Sequence, residues 1–439
     1  MFSDLCFSIV FDKDNRYSAN AIMAAVEQYN TGVKVFRIPL YRVLDVVQTI
    51  LDMQKMCRKI VAGFSFMTPQ IPYIADLIRL LKIYAPNVLL VAGGPHATGD
   101  PLGTLKKLGF DVIVYGEGEE TIIELLRHYA ESSEYRVCGT AYLDGDRVIL
   151  RKRSRYIDLD LYPPFPYWRN IVNPIEIMRG CSSACHFCQV TYSFGLPRYR
   201  SVEKVAELAR VSMERGLRDL RFIAPNSLGY GSRDGVKPNL DALYVLLHSL
   251  SKVAKNFNGR IFFGTFPSEI RPDSVNMDSV RILRFFAHNR RVIVGAQSGS
   301  NNVLKVLHRG HTVEDVENAI DALTQSGFSV DIDLIFGFPF ETSDDFEETV
   351  KFMNRNVDKN VRFHLHTFIP LPGTPLSDAN SATLDSWKKA VLAKFVGMGK
   401  AYGYWIEQER LAMIISELKR KKFIYSFSEN LKILKISPC

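Results

Sequence analysis

The sequence predicts an α/β chain built in four parts. A doubly wound, Rossmann-like domain spans residues 1–135, and a hairpin and linker span 136–173. A partial (β/α)6 barrel follows over 174–380, then a helical C-terminal region over 381–439. Three observations predict this. Short apolar strands alternate with amphipathic helices through both halves, which is the pattern of parallel sheets covered by helices. The rhythm breaks once, at the Pro- and aromatic-rich YPPFPYWRN (162–170), as a domain linker would break it. After Leu376 the strand patterns stop and only helical ones remain.

In the first half LCFSIVF (5–11) reads as a buried strand, followed by a helix through SANAIMAAVEQY (18–29) with Ser18 in the N-cap position. VKVFRIP (33–39) and VLDVVQTILDMQKM (43–56) repeat the unit. KIVAGFSFM, IADLIRLLKIYA, VLLVAGG, LGTLKKLG, DVIVYGE and TIIELLRHYA complete it. A ligand of such a domain is expected at the carboxyl ends of the strands. CGTAYLDGDRVILRKR (138–153) reads as a hairpin turning at Asp144-Gly145.

The second half opens on IEIMRG (175–180) and the helix VEKVAELARVSMERG. Strands DLRFIAP, RIFFGTF, RVIVGAQSG, VDIDLIFGFP and VRFHLHTFIP follow with helical patterns between them, giving six units, which suits a partial barrel better than an eight-unit one. Trp387 and Trp405 are the expected packing residues of the tail.

The composition, 47% hydrophobic and 23% charged, is that of a folded chain with real cores. No apolar run reaches the roughly 18 residues that span a bilayer, so no membrane segment is expected. The first residues, MFSDLCFSIVFDKD, have no basic flank and read as a strand rather than a secretory signal. Seven Cys are too few for a disulfide scaffold, which points to a reducing cytoplasm with thiols free for metal. The net charge of +8 permits nucleic-acid binding without establishing it; the one dense run, KRKK (419–422), reads as a solvated helix face.

RGCSSACHFCQ (179–189) gathers Cys181, Cys185 and Cys188 in a CxxxCxxC spacing. A closed zinc site would need a fourth ligand, and His186 between two thiols is poorly placed to join them on one ion. A four-iron, four-sulfide cubane fits three thiolates, leaving one iron open for a chelating ligand. The amino and carboxylate groups of S-adenosylmethionine (SAM) would serve, and an electron passed to the sulfonium would give a deoxyadenosyl radical.

With Phe187 in place, CxxxCxFC after a first barrel strand resembles the radical SAM superfamily from about Pro174 to Leu376. The resemblance implies a 4Fe-4S cluster on the three cysteines and cofactor contacts in later segments. FGTFPSEIRP (263–272) offers Ser268, Glu269 and Arg271; GAQSGSNNVLKVLHRGHT (295–312) offers Gln297, Ser298 and Arg309. IFGFPFET (335–342), with Gly337 and Pro339, resembles the adenine-stacking turn, and FIPLPGTPL (368–376) the end of the sixth strand. Where relatives carry a Gly-Gly-Glu-like turn for the methionine amino group, this chain has IAPNSLGYGS (223–232), leaving Asn226 or Ser227 for that bond.

The first domain resembles the cobalamin-binding domains of this class. GFSFMT (63–68) supplies Ser65 and Thr68, AGGPHATGDP (92–101) supplies Gly93 and Gly94, and YGEGEETI (115–122) matches the segment after the fifth strand. The DxHxxG motif is absent: FDKDNRYSAN (11–20) holds no His to ligate cobalt, and His96 reads as part of its own loop. The resemblance implies a cobalamin-dependent methyltransferase acting on an unactivated carbon of a small-molecule or peptide substrate. It also implies an electron donor such as ferredoxin or flavodoxin. A cobalamin-independent radical SAM enzyme (rearrangement or carbon–carbon bond formation) is the alternative. A tRNA methylthiotransferase would carry a second three-Cys set, whereas only Cys6 and Cys57 lie in the first domain. A non-catalytic corrinoid or SAM carrier would need the Cys loop to be vestigial.

Overall fold

The computed structural model describes residues 3–30, 32–380, 383–437 and 439, in two compact units. One comprises 1–173, 371–378 and 415–439; the other comprises 174–370 and 379–414.

In the first unit β1 (Ser3–Phe11), β2 (Lys34–Pro39), β3 (Cys57–Ser65), β4 (Leu89–Gly93) and β5 (Val112–Val114) form a parallel sheet in the order 2-1-3-4-5. Phe7 and Val61 are fully buried between helices on the two faces, which is why these strands are apolar throughout. This order reverses direction between β1 and β3, and the crevice there is where doubly wound sheets take ligands. The hairpin of β6 (Thr140–Asp144) and β7 (Arg147–Arg151) is no separate linker: β6 pairs antiparallel with β5 and extends the same sheet. The first helix begins at Arg16, so Ser18 is not its N-cap and instead donates to Asn15 O at 2.8 Å.

The second unit starts with β8 (Ile175–Glu176) and β9 (Met178–Arg179), the latter paired antiparallel with β10 (Arg198–Tyr199). β11 (Asp219–Leu220), β12 (Phe222–Ile223) and β13 (Arg260–Ile261) continue round the barrel. Parallel bridges Ala224–Ser268 and Ile270–Val294 then lead to β14 (Arg291–Gln297), β15 (Ser329–Phe336) and β16 (Val361–Thr367). The six predicted barrel strands follow one another in space, and β17 (Ala401–Tyr402) adds a short seventh beside β16. Side-chain oxygens of Ser201, Asn239, Asn276, Thr312, Thr342 and Asp385 cap the helices between them. Each such cap is worth about 1 kcal/mol.

The C-terminal region is not purely helical. Helices 386–397 and 405–420 flank β17, and β18 (Leu434–Ser437) pairs parallel with β7, becoming the edge strand of the first unit. Buried Asp100 holds this return: its carboxylate accepts from Gly103 N at 3.0 Å, Tyr425 N at 3.0 Å and Asn430 Nδ2 at 2.9 Å. Trp405 is buried as expected, whereas Trp387 is about half exposed, its ring edge against Phe346. Within KRKK, Arg420, Lys421 and Lys422 pair with surface carboxylates, but Lys419 turns inward to Ser377 O.

Four cysteines expected as free thiols are paired: Cys6 with Cys57 on neighbouring strands, and Cys138 with Cys439 at the end of the chain. The second pair ties Cys439 to the hairpin. The three remaining cysteines are those of the CxxxCxxC loop. Among the described residues, no helix is long and apolar enough to cross a membrane.

Candidate active site

The Cys loop leaves the barrel at Gly180, which sits at φ +83°; a side chain there would collide with the Leu196 carbonyl. The loop is then held by backbone contacts. Cys181 N donates to Gly195 O at 2.9 Å, Thr191 Oγ1 to Cys181 O at 2.7 Å, and His186 N to Leu307 O at 3.0 Å. Cys185 is buried, and Arg309 Nη1 reaches its Sγ at 3.3 Å. Burial and then the charges of the two neighbouring thiols push Cys188 up to about 11, a penalty that binding to cationic iron removes.

The three sulfurs do not form a zinc cage. Among the described residues, the only set of three ligand atoms all within 4.8 Å of one another is Asp333, His364 and His366. Thiolates on one tetrahedral zinc would sit about 3.8 Å apart. A cubane spreads its thiolates over separate irons, and the wider thiol set fits it. His186 points elsewhere, its ring stacked on His308 at 5.4 Å.

The residues expected around the cofactor divide into two groups. Glu269, Gln297 and Arg309 converge on Gly295: a Cβ there would meet Gln297 Nε2 at 2.8 Å, Glu269 Oε2 at 3.3 Å and Arg309 Nη2 at 3.5 Å. Arg309 Nη2 also donates to Gly295 O at 2.6 Å, and Gln297 lies on a bulge at φ +76°. Burial, then the charge of Asp333, push Glu269 upward. Phe187 faces Phe338 at 6.3 Å, and Gly337 N donates to Glu341 Oε2 at 2.9 Å. Burial raises Glu341 to about 7. Its Oε1 and Arg309 Nε are buried without a partner among the described residues, two polar atoms that a bound SAM can satisfy.

The other group is spent on the fold. Asn226 Nδ2 donates to Gly235 O at 2.8 Å and Ser274 Oγ at 2.7 Å, while its Oδ1 accepts from Arg271 N at 3.1 Å. That leaves no free amide atom for a methionine amino group. Ser227 and Ser268 pair with each other, and Ser298 Oγ accepts from Ser300 N and meets Thr349 Oγ1. Arg271 is held in a two-pronged pair by Asp273 and donates to Arg309 O, so it supports Arg309 rather than reaching a ligand. Pro339 is exposed, unlike its buried neighbour Phe338.

In the first unit the loops after β1 and β3 meet at the switch point. Asn15 Nδ2 donates to Ser65 O, and Ser65 Oγ pairs with Ser18 Oγ at 2.9 Å. Thr68 Oγ1 meets His96 Nδ1 at 3.1 Å. His96 is wholly buried, and burial lowers it to about 3, so it is a neutral core group and not an outward cobalt ligand. Gly94, at φ +88°, leaves a Cβ no nearer than 3.0 Å to Phe66 O, whereas beside Gly93 nothing lies within 3.9 Å. This open glycine edge at the carboxyl end of β4 fits a bulky planar ligand held by backbone approach.

The Radical SAM superfamily pattern matches residues 175–353, and the B12 binding domain pattern matches residues 17–126. The chain carries a radical SAM domain behind a B12-binding domain. It is therefore an enzyme of radical SAM type, and its domains imply a 4Fe-4S cluster, SAM and cobalamin.

The fold is that of TsrM from Kitasatospora setae, a radical SAM methyltransferase solved with cobalamin and a [4Fe-4S] cluster. The TM-score is 0.65 at 16% identity, over 85% of this chain and 77% of that one. OxsB, solved with aqua-cobalamin and SAM, gives 0.65 at 16% identity over 96% of this chain and 62% of that one. Among curated relatives, an uncharacterized protein of Methanocaldococcus jannaschii is 23% identical over 73% of this chain and 70% of its own length. A tRNA-2-methylthio-N(6)-dimethylallyladenosine synthase of Halorhodospira halophila is 28% identical over 72% of this chain. The chain spans 63% of that synthase's length.

Sequence reasoning missed the Asp333, His364 and His366 group. The signal was present in VRFHLHT, where a strand's two-residue period puts both His on the face that Asp333 shares on β15.

Proposed function

We propose that this radical SAM enzyme is a cobalamin-dependent methyltransferase acting on an unactivated carbon. The observation that carries the reading is the pairing of an open, thiol-only three-Cys loop with a first unit that offers a glycine-edged switch point. Cys181, Cys185 and Cys188 would hold the cluster. Glu269 and Arg309 would orient the amino-acid end of SAM, and the aromatic face of Phe187 and Phe338 beside Gly337 would receive its adenine. Ser65, Thr68, Gly93 and Gly94 would line the corrinoid's approach. When bound, the corrinoid supplies a methyl group to carbon that lacks acid–base activation.

The four cysteines of the first unit, Cys6, Cys57, Cys138 and Cys439, are all paired, which leaves none there for the second cluster of a methylthiotransferase. The test uses the full chain reconstituted anaerobically with iron, sulfide and hydroxocobalamin. Methyl-labelled SAM under reducing conditions is expected to pass label to the protein-bound corrinoid. Deoxyadenosine formation with no corrinoid bound would overturn the methyltransferase reading in favour of a cobalamin-independent radical enzyme.

A further inference from the structure

The barrel face of β14–β16 holds a second constellation of ligand-type side chains, and its Asp333 also hydrogen-bonds Glu269. The strand register sets Asp333 opposite His364 and Ile335 opposite His366, and all three polar residues share the face away from the covering helices. His364 Nδ1 lies 2.9 Å from Asp333 Oδ1, His366 Nε2 lies 3.1 Å from His364 Nδ1, and His366 Nε2 lies 3.8 Å from Asp333 Oδ1. The three atoms form a triangle rather than a chain. Nitrogen and oxygen ligands of one tetrahedral zinc sit about 3.3 Å apart, which is the mean size of this triangle.

The protons on these groups are countable. Gln408 Oε1 accepts from Thr367 N at 2.9 Å, which orients the amide and aims its NH2 at His366 Nδ1, 3.1 Å away. Neutral His366 then carries its single proton on Nε2. Donated to His364 Nδ1, that proton leaves the 2.9 Å contact between His364 Nδ1 and Asp333 Oδ1 with lone pair facing lone pair. A cation at the centre satisfies all three atoms at once. The side chains also leave an approach: His364 and His366 are 26% and 25% exposed, against 7% for Asp333. Behind them His364 stacks on Tyr402 at 4.6 Å, and Tyr402 OH donates to Asp331, which fixes the imidazole.

We propose that Asp333 Oδ1, His364 Nδ1 and His366 Nε2 bind one divalent transition-metal ion of the zinc or ferrous class, with open positions toward the barrel interior. Two imidazoles and one carboxylate are the donor set such ions favour, and an open face suits an oxygen-bearing ligand. The site shares no ligand atom with the three-Cys loop, although Asp333 borders Glu269, and its test does not depend on methyl transfer. Loading moves the His366 proton to Nδ1, where Gln408 offers the wrong end of its amide. Gln408→Glu would accept from both Thr367 N and His366 Nδ1, and so make the carboxylate–histidine–metal arrangement that strengthens binding.

The experiment is equilibrium dialysis of the full chain, its cluster already in place, against zinc, with metal content and zinc-edge X-ray absorption as readouts. About one zinc per chain with a nitrogen and oxygen shell is expected. His366→Ala and Asp333→Asn should each weaken binding at least about tenfold with iron content unchanged, and Gln408→Glu should strengthen it. The same circular-dichroism spectrum in each variant marks a folded chain. No retained zinc, sulfur in the zinc shell, or equal zinc in the wild type and both weakening variants would overturn the proposal.

Discussion

Arg309 ties a thiol of the Cys loop to the barrel: Nη1 lies 3.3 Å from Cys185 Sγ while Nη2 donates to Gly295 O at 2.6 Å. The two contacts share one planar group, which a lysine cannot imitate. Hydrogen bonds to ligand sulfur help set a cluster's reduction potential. Arg309→Ala and Arg309→Lys should both leave iron content intact, lower the potential in spectroelectrochemistry and slow deoxyadenosine formation about tenfold or more. An unchanged potential in both variants would remove this role.

Gly93 separates corrinoid binding from folding. A Cβ there comes no nearer than 3.9 Å to any atom and φ is −151°, so Gly93→Ala should melt as the wild type does. It would nevertheless stand on the edge where the corrin must approach. Hydroxocobalamin affinity should fall at least about tenfold, equivalent to about 1.4 kcal/mol. Unchanged affinity would place the corrinoid elsewhere.

Asn226 separates fold from cofactor in the opposite sense. Asn226→Ala strands Gly235 O and Arg271 N in a buried position, while Ser274 Oγ keeps Val236 O, and should destabilise the barrel by about 2–4 kcal/mol. SAM affinity in the folded protein, read by equilibrium dialysis, should stay within about twofold. A large loss of SAM binding without a change in melting would make Asn226 a ligand after all.

Asp100 gives a pH dependence with a definite sign. Burial raises its carboxyl to about 6 in the folded chain, from an unfolded value near 3.8. Between those values the folded state binds more protons, so stability from this group falls as pH rises and reaches its minimum above about 6. The difference is about 3 kcal/mol at most. The stability of the wild type relative to Asp100→Asn should therefore decline from about pH 4 to about pH 6 and level off. A difference that rises with pH would contradict the burial argument.

Most strands of both units were legible as apolar runs, VRFHLHT by its two-residue alternation, and the helices between them by their 3.6-residue period. The Cys loop was legible because three thiols in eight residues have few chemical uses. LKIS (434–437) was not, since a four-residue edge strand with exposed Lys435 and Ile436 has no pattern of its own and becomes a strand only by pairing with β7. The hydrogen bonds of Asn226 and Ser298 were not legible for a related reason. A polar residue at a strand end looks free in sequence, and only the folded chain reveals that backbone groups such as Gly235 O and Ser300 N occupy it. The Asp333 and His364 pairing depends on the register between β15 and β16, which no single segment encodes.

Low-temperature EPR of the anaerobically reconstituted, reduced full chain, recorded with and without SAM, tests the central claim most directly. An account in which Cys181, Cys185 and Cys188 leave one iron open predicts a four-iron signal whose g values shift when SAM is added. A signal that SAM leaves unmoved, or a thiol loop filled by zinc and silent in EPR, would contradict it.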